Sequence, residues 1–146
     1  MGTFADAEIG ETRTTRGRTV TEADVVNFAG VSGDFNHIHT DAVTMAETDY
    51  GERIVHGAFV FSAVTGLLWE HRSHDEQSDV VAFYGVDHLR FTAPTFIGDT
   101  IHAEIEVADK EPREHPEGNG VIRYEVRVRN QHDEVVLACE TLSLVR

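Results

Sequence analysis

The sequence predicts an α+β domain in which an antiparallel sheet encloses one long apolar helix. Three observations carry this expectation. Residues 57–69 are apolar around nearly the whole circumference of a helix, so the segment must be buried on most sides. From residue 80 onward the period changes to two. Ile101, Ala103, Ile105 and Val107 alternate with polar neighbours, and residues 121–129 alternate as clearly. Polar turns over 111–120 and 130–133 separate these runs at the short distances that hairpins need.

At 146 residues the chain has the size of one domain, which buries roughly two thirds of its unfolded surface. Residues 1–146 therefore read as a single unit, with 1–10 a loose amino-terminal end. Residues 12–20 are threonine-rich and read as a strand, with Gly17 marking a bulge or bend. Thr21 follows as a helix N-cap. Glu22 and Asp24 lie where the helix dipole favours negative charge, and Val25, Phe28 and Ala29 share one face. That helix is expected to stop at Gly30 or Gly33. Asp41 caps a short helix over 42–47, ended by Gly51, and the apolar helix begins near Gly57. Its two glycines, Gly57 and Gly66, permit close backbone approach. Strands are expected over 80–91, stopped by Pro94, then over 99–108, 121–129 and 134–145.

Composition narrows the function. The net charge of −14, from 26 acidic and 12 basic residues, repels polyanions, so nucleic-acid binding is excluded as an expectation. No apolar run is long enough to cross a bilayer, and the amino end lacks the basic start and apolar core of a secretion signal. A cytoplasmic protein without membrane partners is expected. Cys139, the one cysteine, supplies neither a disulfide nor a metal-ligand pair and reads as a small core residue. Lys110 is the only lysine. Strong acidity with so little lysine resembles the composition of halophilic proteins.

Chemistry concentrates in residues 31–41, where a glycine-opened turn carries Asp34, Asn36, His37, His39 and Asp41, with apolar residues only at Phe35 and Ile38 after the opening valine. A carboxylate and an imidazole on one turn can grip the same water and divide acid and base roles, since their reference pKa values differ. Asn36 is placed to orient one of them. His56 and Gly57 open the buried helix, whose first N–H groups suit a developing negative charge such as an enolate oxygen. Plainer roles stay open at each position: a turn cap for Asp34, a satisfied loop histidine for His39, a structural hydrogen bond for His56 and close packing for Gly57. His37 reads as a packing or surface residue, and His71, His74, His88, His102, His115 and His132 as surface. Asp34, His37, His39, Asp41 and His56 are also metal-ligand types. The His-x-His spacing suits a strand better than a loop and no thiolate assists, so no metal is expected.

These residues resemble the MaoC-like (R)-specific enoyl-CoA hydratases of the hot-dog fold. The family pattern is an aromatic residue, a short spacer, Ser-Gly-Asp-x-Asn-Pro, an aliphatic residue and His. Here Phe28 precedes Ser32-Gly33-Asp34-Phe35-Asn36-His37-Ile38-His39. Ile54-Val55-His56-Gly57 resembles the family's entry to its central helix, and Phe91-Thr92-Ala93-Pro94-Thr95-Phe96-Ile97-Gly98-Asp99 resembles its strand connection. The resemblance implies a sheet wrapped around the helix, a homodimer whose sheets join, and no cofactor beyond the CoA thioester that is the substrate. It implies that Asp34 and His39 hold the water added to a trans-2-enoyl-CoA, that the Gly57 N–H binds the thioester oxygen, and that Asn36 supports the pair. Ser62, one or two turns along the helix, is expected to line the same pocket. Arg90, Arg53 and Lys110 are candidates for the CoA phosphates, because an acidic protein needs local positive charge to hold them. Two positions depart from the family: His37 stands where proline is usual, and Met45 where a small residue is usual.

The resemblance also admits a related dehydratase for branched or dicarboxylic acyl-CoAs, a thioesterase, which needs no Ser-Gly-Asp-x-Asn loop, and a non-catalytic acyl-CoA-binding module. The halophile-like composition has its own test. The melting temperature is expected to rise from low to molar KCl, and equal or greater stability at low salt would exclude a halophilic adaptation.

Overall fold

A computed structural model describes residues 2–146, and in it five helices and six strands follow the order expected for an α+β chain. Thr21 caps α1 (Glu22–Ser32) in a reciprocal capping box with Asp24, and Gly33 closes it with a left-handed backbone, φ 76°. Two short helices follow, α2 (His37–Thr40) and α3 (Ala42–Ala46), the second capped by Asp41 as expected. The apolar helix is α4 (Gly57–Glu70). A polar helix, α5 (His74–Asp79), has no counterpart in the sequence reading, because it buries no residue and so carries no apolar periodicity. Its capping box, Ser73 with Glu76, is the local signal that marks its start.

The strands β1 (Thr12–Thr14), β2 (Arg18–Thr19), β3 (Val80–Phe91), β4 (Thr100–Pro112), β5 (Gly120–Arg129) and β6 (Val135–Val145) form one antiparallel sheet in the order β1-β4-β5-β6-β3, with β2 also paired to β4. The run expected as one strand over 12–20 divides in two. Between the halves Thr15 turns inward, its hydroxyl accepting from the Ala103 N–H at 2.9 Å and donating to the Arg16 carbonyl. Phe59, Val60, Ala63 and Val64 of α4 share one buried cluster with Ile101, Ala103, Ile105 and Val107 of β4 and Val126 and Val128 of β5. Each valine, isoleucine or phenylalanine among them contributes about 1.5–3 kcal/mol by leaving water. The helix is thereby fixed against the middle of the sheet. Cys139 is a buried member of this core, and burial pushes its thiol up to about 11.

The amino-terminal stretch expected to be loose is tied down. Phe4 donates its N–H to the Arg146 carbonyl, and its ring occupies the space that a side chain at Gly120 would fill. Ala7 is buried in the core, and its carbonyl accepts from Lys110 Nζ at 2.6 Å. Phe4 and Ala7 were too isolated in the sequence to show a periodic apolar face. Met45, which departs from the family pattern, is the buried residue of α3 and serves packing. No helix among the described residues is long and apolar enough to cross a membrane.

Glu76 anchors α5 to β1. Burial alone would raise its carboxyl, but the Arg13 guanidinium at 2.8 Å and the Ser73 N–H outweigh that and bring it to about 2. A carboxyl depressed below its ordinary 4.5 on folding stabilises the fold above that pH and loses the contribution as pH falls toward 2. Glu76→Gln is therefore expected to lower the melting temperature at pH 7, with the gap from the parent closing between pH 4.5 and 2. A gap that stays constant through acid unfolding would refute the assignment.

Candidate functional site

The polar loop is held by its own side chains. Ser32 Oγ donates to the Phe28 carbonyl and accepts from the Asp34 N–H at 3.1 Å, Asp34 Oδ1 accepts from the Asn36 N–H at 3.2 Å, and Asn36 Oδ1 caps α2 by accepting from the Ile38 N–H. Asn36, expected to support the Asp/His pair directly, acts instead through the helical turn that carries His39. His37 is the first residue of α2 and is exposed. The first helical position tolerates proline because its N–H has no partner within the helix. Proline or an exposed histidine therefore fits there without disturbing the residues beyond.

α2 turns His39 inward, leaving it 6% exposed. Its Nδ1 lies 2.7 Å from the Ile54 carbonyl, and a carbonyl only accepts, so Nδ1 carries a hydrogen and, in the neutral ring, the lone pair is on Nε2. Nε2 faces Asp34 Oδ2 at 3.7 Å. That separation is too long for a direct hydrogen bond and suits two groups that share one water. The Asp34 carboxylate is half exposed, so the pair spans the boundary between core and solvent.

His56 completes the arrangement. Its Nε2 donates to the Asp34 carbonyl at 2.9 Å, its ring stacks on His39 with centroids 3.7 Å apart and planes 25° apart, and Phe28 meets it edge-on at 5.0 Å. The sequence reading foresaw a structural hydrogen bond at His56 but had no means of finding its partner, a backbone carbonyl. Ile54 was missed for the same reason. Its own position is set by pairing with Phe96 across the 91–99 connection, where Asp99 Oδ2 accepts from the Phe96 N–H and Gly98 takes φ 98°.

A cavity of about 490 Å³ brings His39 and Gly57 together, walled by Ile38, Val60, Phe91 and Val136. No side chain caps the start of α4, so the first N–H groups of the buried helix remain for a ligand. A Cβ on residue 57 would stand 2.9 Å from the Phe91 ring, which ties this glycine to close approach as well as to access. Phe91 and Val136 come from β3 and β6, neighbouring strands of the sheet, and their local sequence marks them only as strand residues.

The remaining expected residues fall elsewhere. Ser62 donates to the Ala58 carbonyl and borders a separate groove with Phe28 and Phe59, because its place on α4 turns it toward α1 and away from the cavity. Arg53 is held bidentately by Glu22 at 2.9 and 2.6 Å. Lys110 binds the Ala7 carbonyl and lies over the Phe4 ring. Arg90 is exposed beside Phe91 of the cavity wall, with Nη1 donating to the Leu89 carbonyl.

Asp34, His39 and His56 offer ligand atoms within 4.8 Å of one another, a set of metal-ligand types. The imidazole rings, however, lie in nearly parallel planes 3.7 Å apart. A metal bound about 2.0–2.1 Å away in the plane of one ring would stand out of the plane of the other. The geometry favours proton transfer.

A family model described as MaoC like domain matches residues 4–130. The chain is 42% identical over 102 residues to the protein MaoC of Klebsiella aerogenes, covering 70% of this chain and 29% of that one. It is 36% identical over 85 residues to an (R)-specific enoyl-CoA hydratase of Aeromonas caviae, covering 58% and 60%. The chain thus spans less than two thirds of the length of both relatives. A solved monoamine oxidase regulatory protein of Archaeoglobus superposes with a TM-score of 0.88 at 36% identity, covering 99% and 94%.

His56→Phe keeps the stacked ring and removes the N–H that holds Asp34. With about 1 kcal/mol lost, amide hydrogen exchange over residues 34–39 is expected to quicken roughly five- to tenfold. Unchanged exchange would show that the loop is held without this bond.

Proposed function

This chain belongs to the MaoC-like dehydratase family, with the hot-dog fold of the solved structures it matches, and from that premise we propose that it hydrates trans-2-enoyl-CoA reversibly to (R)-3-hydroxyacyl-CoA. One observation carries the reading. The Asp34 and His39 pair, 3.7 Å apart, stands at a cavity whose other polar wall is the uncapped start of α4 at Gly57.

The proposed reaction follows from the tautomer. A water held between the two side chains gives a proton to His39 Nε2 as its oxygen bonds to the β-carbon of the enoyl group. The double-bond electrons move toward the thioester carbonyl, whose oxygen gains enolate charge beside the Gly57 N–H and the positive end of α4. In the state of the pair that carries one proton on the Asp34 carboxyl, that proton is delivered to the α-carbon on the same face. The proton on His39 then returns across the 3.7 Å gap to Asp34. Atoms balance as one water added, and the same steps reversed dehydrate the product.

Ile38, Val60, Phe91 and Val136 offer an apolar wall for the acyl part. Arg53 and Lys110 are committed to Glu22 and Ala7, so Arg90 is the remaining candidate of the three for the CoA phosphates. The homodimer belongs to the same proposal. β3 is an edge strand with one paired neighbour among the described residues, and it exposes Phe83, Tyr84 and Phe91 by more than half. An open apolar edge of this kind favours pairing with a second copy.

Asp34→Asn and His39→Ala are each expected to slow crotonyl-CoA hydration by about 10²–10⁴-fold, followed as loss of enoyl absorbance; the melting temperature should change little in Asp34→Asn, whose side chain is half exposed, and fall in His39→Ala, which empties a buried ring position. Chiral analysis of the product should return the (R)-alcohol. Undiminished turnover in both variants would end this reading, and release of free thiol would favour a thioesterase.

A further inference from the structure

The cavity of His39 and Gly57 has an open side and an enclosed one. Tyr50 and Phe91 border it and are each more than half exposed, so they stand at the mouth. Val55, Val60, Thr95 and Val136 border it too, and none of them is more than 4% exposed. The inner side is therefore three valines and one threonine. Thr95 lies on the 91–99 connection, where its carbonyl accepts from the Val55 N–H at 2.7 Å, two residues before α4 begins. That bond fixes residue 95 beside the start of the helix, and with it the place of the side chain.

Folding does not explain the hydroxyl of Thr95. It forms no hydrogen bond among the described residues, although the residue is only 4% exposed. Thr92 on the same connection shows the contrast, since its Oγ1 donates to the Val135 carbonyl. His39, the other buried polar side chain that borders the cavity, is likewise held, by the Ile54 carbonyl. An enclosed hydroxyl without a partner opposes folding, and a valine of nearly the same shape would fill the position without that penalty. One unpaired hydroxyl therefore stands in the apolar wall of the cavity that holds the reacting groups.

We propose that Thr95 determines specificity by hydrogen-bonding an uncharged oxygen carried on the acyl chain. The proposal rests on the enoyl-CoA reading of this site and narrows its substrates to acyl groups with a keto, ether or hydroxyl oxygen beyond the β-carbon. With the thioester oxygen at the Gly57 N–H and the β-carbon at the water between Asp34 and His39, the rest of the chain is left to the enclosed wall. There the three valines pack its carbons, and the hydroxyl meets its oxygen. A carboxylate does not suit the same place. No arginine or lysine among the described residues borders the cavity, so its charge would lie against valines with one hydroxyl to offset it. The oxygen is therefore neutral, and a dicarboxylic chain is disfavoured.

Saturated thioesters have no double bond to hydrate, so their binding is read without turnover. Isothermal titration compares 4-oxopentanoyl-CoA with 4-methylpentanoyl-CoA, and 5-oxohexanoyl-CoA with 5-methylhexanoyl-CoA, pairs in which a methyl group replaces the keto oxygen. In at least one pair the keto ester is expected to bind about tenfold tighter. Thr95→Val, which keeps the shape and removes the hydroxyl, should abolish that preference, and Thr95→Ser should retain it. Methyl esters that bind as tightly as their keto partners in both pairs would overturn the proposal and leave the hydroxyl to an ordered water. A preference that survives Thr95→Val, or one lost equally in Thr95→Ser, would overturn it as well. In each of these cases the enoyl-CoA reading stands, whereas failure of all four esters to bind the parent protein would remove both.

Discussion

The hydrogen bond from His56 Nε2 to the Asp34 carbonyl is the constraint on which the site depends. His56 is the residue immediately before α4, and Asp34 follows the end of α1, so one bond joins the loop to the buried helix. The same ring stacks on His39, which fixes where the imidazole can lie relative to the carboxylate. A second bond, from His39 Nδ1 to the Ile54 carbonyl, selects the tautomer. Together they hold a carboxylate, a basic nitrogen and a helix start in one mutual geometry before any substrate arrives, which is the form of organisation that lowers barriers most effectively.

The core serves this geometry from behind. Val60 and Val64 bury α4 against β4, so the helix cannot recede from the loop. The 91–99 connection holds Ile54 in place through the Phe96 bridge and the Asp99 carboxylate. A polar cluster half open to solvent is thus supported on three sides by rigid elements. That arrangement allows the loop to carry unpaired polar groups at its mouth without loosening its backbone.

Much of this was legible in the residues. Thr21, Asp41 and the glycine at 33 mark helix boundaries by local chemistry that acts over three or four residues, and each boundary lies where that chemistry requires. The alternation on β4 and β5 needed only burial of one face. Ser62 was misplaced because a helical position specifies a direction only once the neighbouring helix is known. The amino-terminal stretch was misread because Phe4 and Ala7 are held by Gly120 and Lys110, more than a hundred residues away. His37, read as a packing or surface residue, lies exposed in the first turn of α2.

What the sequence determined by itself is the set of elements and the chemical inventory: an enclosed apolar helix, a hairpin-linked sheet, and a loop with one carboxylate and one imidazole five residues apart. These follow from periodicity and from side chains that act on their own backbone. The tertiary structure alone decided which groups meet. The 3.7 Å gap between His39 and Asp34, the carbonyls that orient His39 and His56, and the strand residues Phe91 and Val136 that wall the cavity are all set across the fold. Backbone carbonyls leave no mark on residue identity, and packing between distant segments leaves none on local spacing, so neither could be read before the chain was folded.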